Sequence, residues 1–176
     1  MLTIRHYRPD TVSDGDAIAA IYAHHVLHGR ASFETEAPDS AEMRGRLQTI
    51  MDAGYPVLIA ELDGRVAGYA YAGPFHHRAA YRGTVEDSIY VDHAMARRGI
   101  GRALLSGLVD QARKAGFQQM MAVIGDSDNA GSIELHRALG FREIGVARGI
   151  GFKFGSFVDV VYMQLALQES AAGQTD

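Results

Sequence analysis

Apolar and polar residues follow two different periods along this chain, and the two periods occur in turn. Segments with every second residue apolar, or with runs of β-branched and aromatic residues, are predicted as strands. The predicted strands are residues 2–7, 55–62, 65–73, 84–91, 120–124, 143–151 and 157–167. Apolar residues three or four positions apart predict four helices. The predicted helices run from near Asp14 to Gly29, from Asp39 to Gly54, over 99–115 and over 130–139.

This mixed order, with no internal repeat and no linker, predicts a single α+β domain over residues 1–167. Residues 168–176 are small and polar, and we expect them to form a flexible tail. Asp63 and Gly64 separate two of the predicted strands, and this dipeptide favours the positive φ angles of a tight hairpin. The second and third predicted strands should therefore be antiparallel neighbours.

Composition and charge exclude several classes of protein. The 176 residues include 17 Lys and Arg against 21 Asp and Glu, so a strongly basic nucleic-acid binder is excluded. The chain has no cysteine, which excludes disulfides, thiolate metal sites and an acyl-cysteine intermediate. No apolar run approaches the roughly 20 residues of a membrane span, and no signal peptide is recognisable. We expect a cytoplasmic protein with no membrane and no nucleic-acid partner.

A glycine-rich turn joins the predicted strand 84–91 to the helix 99–115. Residues 97–102 read Arg-Arg-Gly-Ile-Gly-Arg. The first N–H groups of a helix have no partners within it, and glycine lets an anion approach the backbone closely. The turn is therefore a candidate pyrophosphate site, although two glycines could also serve only a tight turn. It is not a Walker A loop, since no Gly-Lys-Ser/Thr follows, and the third glycine of a dinucleotide fingerprint is missing.

Two blocks of the sequence resemble the GNAT superfamily of N-acetyltransferases. Residues 97–101 resemble its acetyl-CoA pyrophosphate loop, with Ala96 in place of the Gln or Arg that opens the family pattern. Residues 129–141 resemble its Asn-containing helix that ends in Gly-Phe. Segments 70–74, 84–91, 122–125 and 151–155 are similar to the phosphinothricin and methionine sulfoximine acetyltransferase branch.

The resemblance implies a GNAT fold with acetyl-CoA as co-substrate and a homodimer as the assembly. The sheet would be mixed, mostly antiparallel and splayed at its centre between the strand that ends at Val91 and the strand 120–124, with helices on both faces. The implied coenzyme contacts are Ile89, Tyr90, Val91, Arg97, Arg98, Gly99, Ile100, Gly101, Arg102, Asn129 and Ser132.

Two residues carry the catalytic roles that the resemblance implies. Glu86 lies in the middle of the strand before the glycine turn and would be the general base. Strand alternation places Glu86 and Ser88 on one face and Asp87 on the other. His136 stands where many relatives have the tyrosine that protonates the coenzyme A thiolate, and an imidazole can do this near neutral pH. Packing of His136 against Phe141 is the alternative interpretation.

An acceptor pocket should be assembled from a loop and several more distant residues. Its expected members are Phe33, Phe75, His76, His77, Arg78, Tyr81, Arg82, Asp87, Ser88 and Lys153. An α-amino acid needs a partner for its carboxylate, and the Arg78 guanidinium can hold one with two parallel bonds. Sulfoximine-type relatives carry an arginine that falls on His76 here, which favours phosphinothricin over methionine sulfoximine.

No metal site is expected. His76 and His77 are adjacent in a loop and are poor joint ligands, and His24 and His28 have no evident third ligand. The predicted reaction is direct acetyl transfer to a small primary amine in a ternary complex. Other amine acceptors (a polyamine, an aminoglycoside or a protein N-terminus) and a non-catalytic acyl-CoA-binding sensor are the alternatives.

Overall fold

The computed structural model describes residues 1–168 as a seven-stranded sheet with helices on both faces. The strands are β1 (Leu2–His6), β2 (Val57–Leu62), β3 (Arg65–Pro74), β4 (Thr84–Val91), β5 (Gln119–Gly125), β6 (Arg142–Lys153) and β7 (Ser156–Ala166). The helices are α1 (Val12–His28), α2 (Ser40–Asp52), α3 (Ile100–Lys114) and α4 (Ala130–Ala138), with short 3₁₀ turns at Ala79–Tyr81 and His93–Met95. The strand order is β1-β2-β3-β4-β5-β7-β6.

The sheet opens at its centre. All neighbouring strands are antiparallel except β4 and β5, which are parallel and joined through α3. Pairing between them covers only Thr84–Asp87 of β4 and Gln119–Ala122 of β5. The strands then separate, so Ser88–Val91 pairs with β3 alone. The predicted α+β fold with a central splay is confirmed.

Two apolar layers cover the two faces of the sheet, because successive side chains of each strand point to opposite faces. Leu58 and Ala60 of β2 belong to the core that includes α3, whereas Val57 and Ile59 pack with α1 and α2. Two of the helices, α2 and α4, begin at a residue whose side chain caps the helix. The Asp39 side chain accepts a hydrogen bond from Glu42 N at 2.8 Å, and the Asn129 side chain accepts one from Ser132 N at 3.2 Å.

The predicted hairpin is confirmed between β2 and β3, with φ of 52° at Asp63 and 79° at Gly64. β6 is longer than predicted, whereas β7 has the predicted length and begins and ends one residue earlier. β6 continues to Lys153 because an irregularity between Ala147 and Gly151 absorbs a change of register in its pairing with β7.

The predicted tail lies almost entirely outside the described residues, which end at Gln168. Gln168 itself donates from Nε2 to the carbonyl oxygens of Arg113 at 3.0 Å and Phe117 at 3.3 Å. Within the described part of the chain, no helix is long and apolar enough to span a membrane.

Candidate active site

Two cavities meet where β4 and β5 separate. The first, here called the glutamate cavity, has a volume of about 560 Å³ and contains Glu86 in its wall. The second, here called the glycine cavity, has a volume of about 840 Å³ and lies against Gly99 and Gly101. The residues common to both walls are Ala31, Ile89, Tyr90, Gly125, Asn129 and Ser132. The common walls make one continuous site of the two cavities.

The glycine cavity brings together the residues predicted to hold the coenzyme. Arg97 and Gly99 have φ of 60° and 78°, and this left-handed turn leads directly into α3. Its first helical N–H groups have no intrahelical partners and suit a pyrophosphate. Gly101 packs against α4, since a Cβ there would lie 3.3 Å from Leu135 Cδ2.

Every predicted coenzyme residue except one lines this cavity. Arg98 is exposed and is not part of the wall, because the turn directs it to solvent. Sequence reasoning missed His25, which donates from Nε2 to Val91 O at 2.9 Å and joins α1 to the end of β4. Nothing in the spacing of His25 along the sequence indicates this contact.

Glu86 lies half-buried in the glutamate cavity. Within residues 1–168 no side chain forms a hydrogen bond or ion pair with its carboxylate. Burial, followed by the nearby negative charge of Asp87, raises the pKa of Glu86 to about 7. A carboxylate with this pKa can take up a proton near neutral pH and release it again.

His136 and Asp87 form a buried pair beside Glu86. His136 Nε2 lies 3.0 Å from Asp87 Oδ2, and the His136 ring meets Phe141 edge to face at a centroid distance of 5.0 Å. His136 therefore packs against Phe141 and also lines the glutamate cavity. Strand alternation is also confirmed, since Asp87 faces α4 while Tyr90, on the same face as Glu86, packs with α1.

The predicted acceptor residues are only partly brought together. Phe33, Asp87 and Ser88 line the glutamate cavity. Residues 75–82 are not part of its wall, because their loop lies at the beginning of β4 and the sheet opens at its end. In that loop the Phe75 and His76 rings pack together at 4.5 Å, and His76 and Tyr81 at 4.9 Å. The same loop contains His77, Arg78 and Arg82.

Lys153 also lies outside the cavity wall. It is buried, and its Nζ donates to Ser32 O at 2.6 Å, which ties β6 to the loop between α1 and α2. Burial lowers the pKa of Lys153, although Glu34 opposes this. In the single chain Lys153 therefore supports the loop that carries Phe33.

Four polar residues of the glutamate cavity were missed by sequence reasoning: Tyr22, Ser32, Glu34 and Tyr71. Tyr22 donates from its hydroxyl to Glu34 Oε1 at 2.8 Å, and Arg46 Nη1 donates to the same oxygen at 2.7 Å. Tyr71 of β3 completes this side of the wall. Burial raises the pKa of Tyr22 to about 12. Tyr22 shows the spacing of a core helix residue, and the only local signal for Glu34 is its position next to Phe33.

His24, His28 and His93 form a cluster near the glycine cavity. The His24 and His93 rings stack at 3.7 Å, and the His24 and His28 rings lie 4.9 Å apart. Among the described residues, no group of three or more His, Cys, Asp or Glu side chains is arranged to hold a metal ion.

A splayed sheet with an anion-binding helix start on one side and a carboxylate of raised pKa on the other defines an acyl-CoA-dependent transferase. The model of the acetyltransferase (GNAT) family matches residues 18–141, and the chain belongs to this family. It is an acetyl-CoA-dependent N-acetyltransferase.

Similar proteins cover almost the whole chain. A phosphinothricin N-acetyltransferase from Alcaligenes faecalis is 47% identical over 98% of this chain and 85% of its own length. An L-methionine sulfoximine/L-methionine sulfone acetyltransferase from Salmonella typhimurium is 42% identical over 91% of this chain and 93% of its own. A phosphinothricin acetyltransferase from Sinorhizobium meliloti, solved in complex with acetyl-CoA, has a TM-score of 0.92 at 43% identity and covers 99% and 93% of the two chains.

Proposed function

We propose that this enzyme acetylates the primary amine of a small amino-acid-like acceptor of the phosphinothricin, methionine sulfoximine or methionine sulfone type. The observation that carries the proposal is Glu86, a carboxylate without a protein partner among residues 1–168, in a cavity that adjoins the glycine turn. The names of the similar proteins support this class of acceptor. A polyamine or an aminoglycoside is the alternative acceptor.

The glycine cavity is the proposed site of acetyl-CoA. The N–H groups that begin α3 and the guanidinium groups of Arg97 and Arg102 would bind the pyrophosphate. Ser88–Val91 has no partner in β5, so its backbone groups on that side, apart from Val91 O with its bond to His25, can pair with the pantetheine arm and direct the thioester towards Glu86. Asn129 and Ser132 would contact the coenzyme from α4.

The proposed reaction is direct transfer in a ternary complex. The acceptor enters as an ammonium ion and gives one proton to Glu86. Its neutral nitrogen attacks the thioester carbonyl, so a C–N bond forms and the C–S bond breaks. The nitrogen then loses its second proton, and the leaving sulfur gains one through His136 or through water. The products are the N-acetylated acceptor and coenzyme A.

The carboxylate of the acceptor needs a basic partner that the cavity wall itself does not supply. Glu34, Glu86 and Asp87 are the acids of the described wall, and no Lys or Arg is among its residues. We assign this role to Arg78, with Phe75, His76, His77, Tyr81, Arg82 and Lys153 as further candidates. Residues 76–82 of this loop are exposed in the single chain, so their side chains are accessible to an acceptor or to a second chain.

A homodimer is part of this proposal. The hairpin of β6 and β7 exposes Phe152 (64%), Phe154 (55%) and Phe157 (74%), together with Ile150 (58%). A contiguous exposed apolar patch of this kind is typical of a protein–protein interface. A second copy of the chain is the proposed occupant.

A free-thiol assay for coenzyme A release tests the function. Acetyl-CoA is offered with phosphinothricin, methionine sulfoximine, methionine sulfone, a polyamine and an aminoglycoside. We expect turnover with at least one of the three amino acids and none with the other two amines. Turnover confined to the polyamine or aminoglycoside would overturn the acceptor class, and tight acetyl-CoA binding without turnover on a wider panel of amines would indicate a sensor.

A further inference from the structure

Asp87 and His136 connect the two elements that border the splay. Asp87 lies on β4 directly after Glu86, and His136 lies in the last turn of α4. Their side chains are only 3% and 4% exposed, and 3.0 Å separates Asp87 Oδ2 from His136 Nε2. Ion pairs this deeply buried are costly unless their hydrogen bonds are satisfied.

The hydrogen bonds of His136 favour its protonated form when Asp87 is ionised, although Asp87 Oδ1 has no hydrogen-bond partner among the described residues. Its Nδ1 lies 2.7 Å from Ser132 O, and a carbonyl oxygen only accepts, so Nδ1 must carry a proton. Its Nε2 faces a carboxylate oxygen, which accepts as well. Both ring nitrogens therefore donate, which is the pattern of an imidazolium ion paired with a carboxylate.

The surroundings favour the charged ring. Burial lowers the pKa of His136, but the hydrogen bond and charge of Asp87 and the bond to Ser132 O outweigh burial and raise it. The last turn of a helix also favours a cation. Glu134 and Arg137, the other charged groups of α4, pair with each other on its exposed side.

We propose that Asp87 is a positioning residue for acetyl transfer: it holds His136 as an imidazolium and keeps the Nε2 proton directed at β4 instead of at the departing sulfur. The proposal rests on the proposed function and refines it. With both nitrogens of His136 engaged, water carries the second proton of the attacking nitrogen to the sulfur.

The charge balance at Glu86 gives the proposal a kinetic consequence. The titratable groups that share its cavity are Tyr22 from α1, Glu34 from the following loop, Tyr71 from β3, Tyr90 and Asp87 from β4, and His136 from α4. Arg46 already pairs with Glu34, and the tyrosines are neutral at the pH of an assay. Asp87 is therefore the charged neighbour whose removal should change the titration of Glu86.

Nitrogen NMR of the imidazole rings tests the protonation state without turnover. The eight histidines of the chain are assigned with the help of His136→Gln. In the wild type, both nitrogens of His136 should remain protonated at a pH at which the exposed histidines are neutral. In Asp87→Asn, His136 should lose its proton at least one pH unit lower. A wild-type His136 that is neutral at pH 7 would overturn the proposal even if the variant did not fold.

The pH profile of kcat/KM for the acceptor gives the second readout. In Asp87→Asn the acid limb should move to lower pH, because Glu86 loses the neighbouring negative charge. The amine of the acceptor titrates identically with every variant, so a shift belongs to the enzyme. Asp110→Asn, which removes an exposed carboxylate from α3, is the matched control and should move neither readout. An unmoved limb in Asp87→Asn would contradict the proposed link to Glu86, whereas a wild type that releases no coenzyme A would contradict the proposed function alone.

Discussion

Glu86 combines burial with the lack of a protein partner, and the consequence appears in its titration. Its pKa of about 7 means that the carboxylate is protonated below neutral pH and cannot then accept the proton of the acceptor. The transfer rate should therefore fall as the pH falls through about 7. A raised pKa in the folded state also means that stability is lost as the pH rises from about 4.5 to about 7, because ionised Glu86 is unfavourable in its buried position.

Glu86→Gln should separate catalysis from stability. Removal of a general base lowers kcat by about 10²-fold or more, while acetyl-CoA binding should stay unchanged. At pH 8 the Tm should be equal to or higher than that of the wild type, because the neutral amide removes a buried charge. Coenzyme A release, acetyl-CoA titration and thermal unfolding at pH 8 provide the three measurements. An unchanged kcat at saturating substrates would remove Glu86 from the mechanism.

The proposed role of Arg78 is tested by comparing the KM of the acceptor with the KM of acetyl-CoA in Arg78→Ala. Loss of a charge-assisted pair costs about 1.5–3 kcal/mol, so Arg78→Ala should raise the acceptor KM by roughly 10-fold or more. The KM of acetyl-CoA should not change. Arg65→Ala removes an exposed arginine at the start of β3 and serves as the control. Equal increases of both KM values in Arg78→Ala would place Arg78 outside the acceptor site.

At the scale of elements, the end of β5 lies directly against the loop that follows α1. A Cβ on Gly125 would lie 2.7 Å from Arg30 O and 2.8 Å from Ala31 O, and Gly125 lines both cavities. These neighbours are backbone atoms, so the loop itself would have to move. Glycine at this position lets the loop close both cavities.

Gly125→Ala should therefore disturb stability and both substrates together. Overpacking of this kind costs about 1–3 kcal/mol, and the KM values of acetyl-CoA and acceptor should both rise. Gly45→Ala is the matched control, because a Cβ there has nothing within 4 Å and alanine favours the interior of α2. Urea unfolding and steady-state kinetics would measure both effects. Wild-type values in Gly125→Ala would show that the loop is not held by this contact.

The sequence predicted elements better than contacts between them. The alternation of β4 and the start of the second helix at Asp39 depend on neighbouring residues, and the structure confirms them. Lys153 was predicted in the acceptor pocket, and nothing in the sequence indicated its bond to Ser32 O, which joins residues 121 positions apart. No local pattern contains such a contact, and the same reason explains why Glu34 was missed.

At the scale of the whole molecule, the β6–β7 hairpin exposes several large apolar side chains to solvent. Phe152 and Phe157 pack against each other at 5.3 Å and still expose most of their area. They lie at the edge of the sheet, where β6 has a single neighbour. This edge and its aromatic surface would be buried together if two copies of the hairpin met.

Phe152→Ser combined with Phe157→Ser should weaken the proposed homodimer. Sedimentation velocity at micromolar concentration should give twice the mass of one chain for the wild type and the mass of one chain for the double variant, because buried aromatic residues dominate interface energies. Val12→Ser changes an equally exposed apolar residue on α1 and should leave the dimer intact. A monomeric wild type would refute the homodimer. If the double variant is monomeric and its acceptor KM rises while that of acetyl-CoA does not, the second chain contributes to the acceptor site, which would explain why residues 75–82 are absent from the cavity wall of one chain.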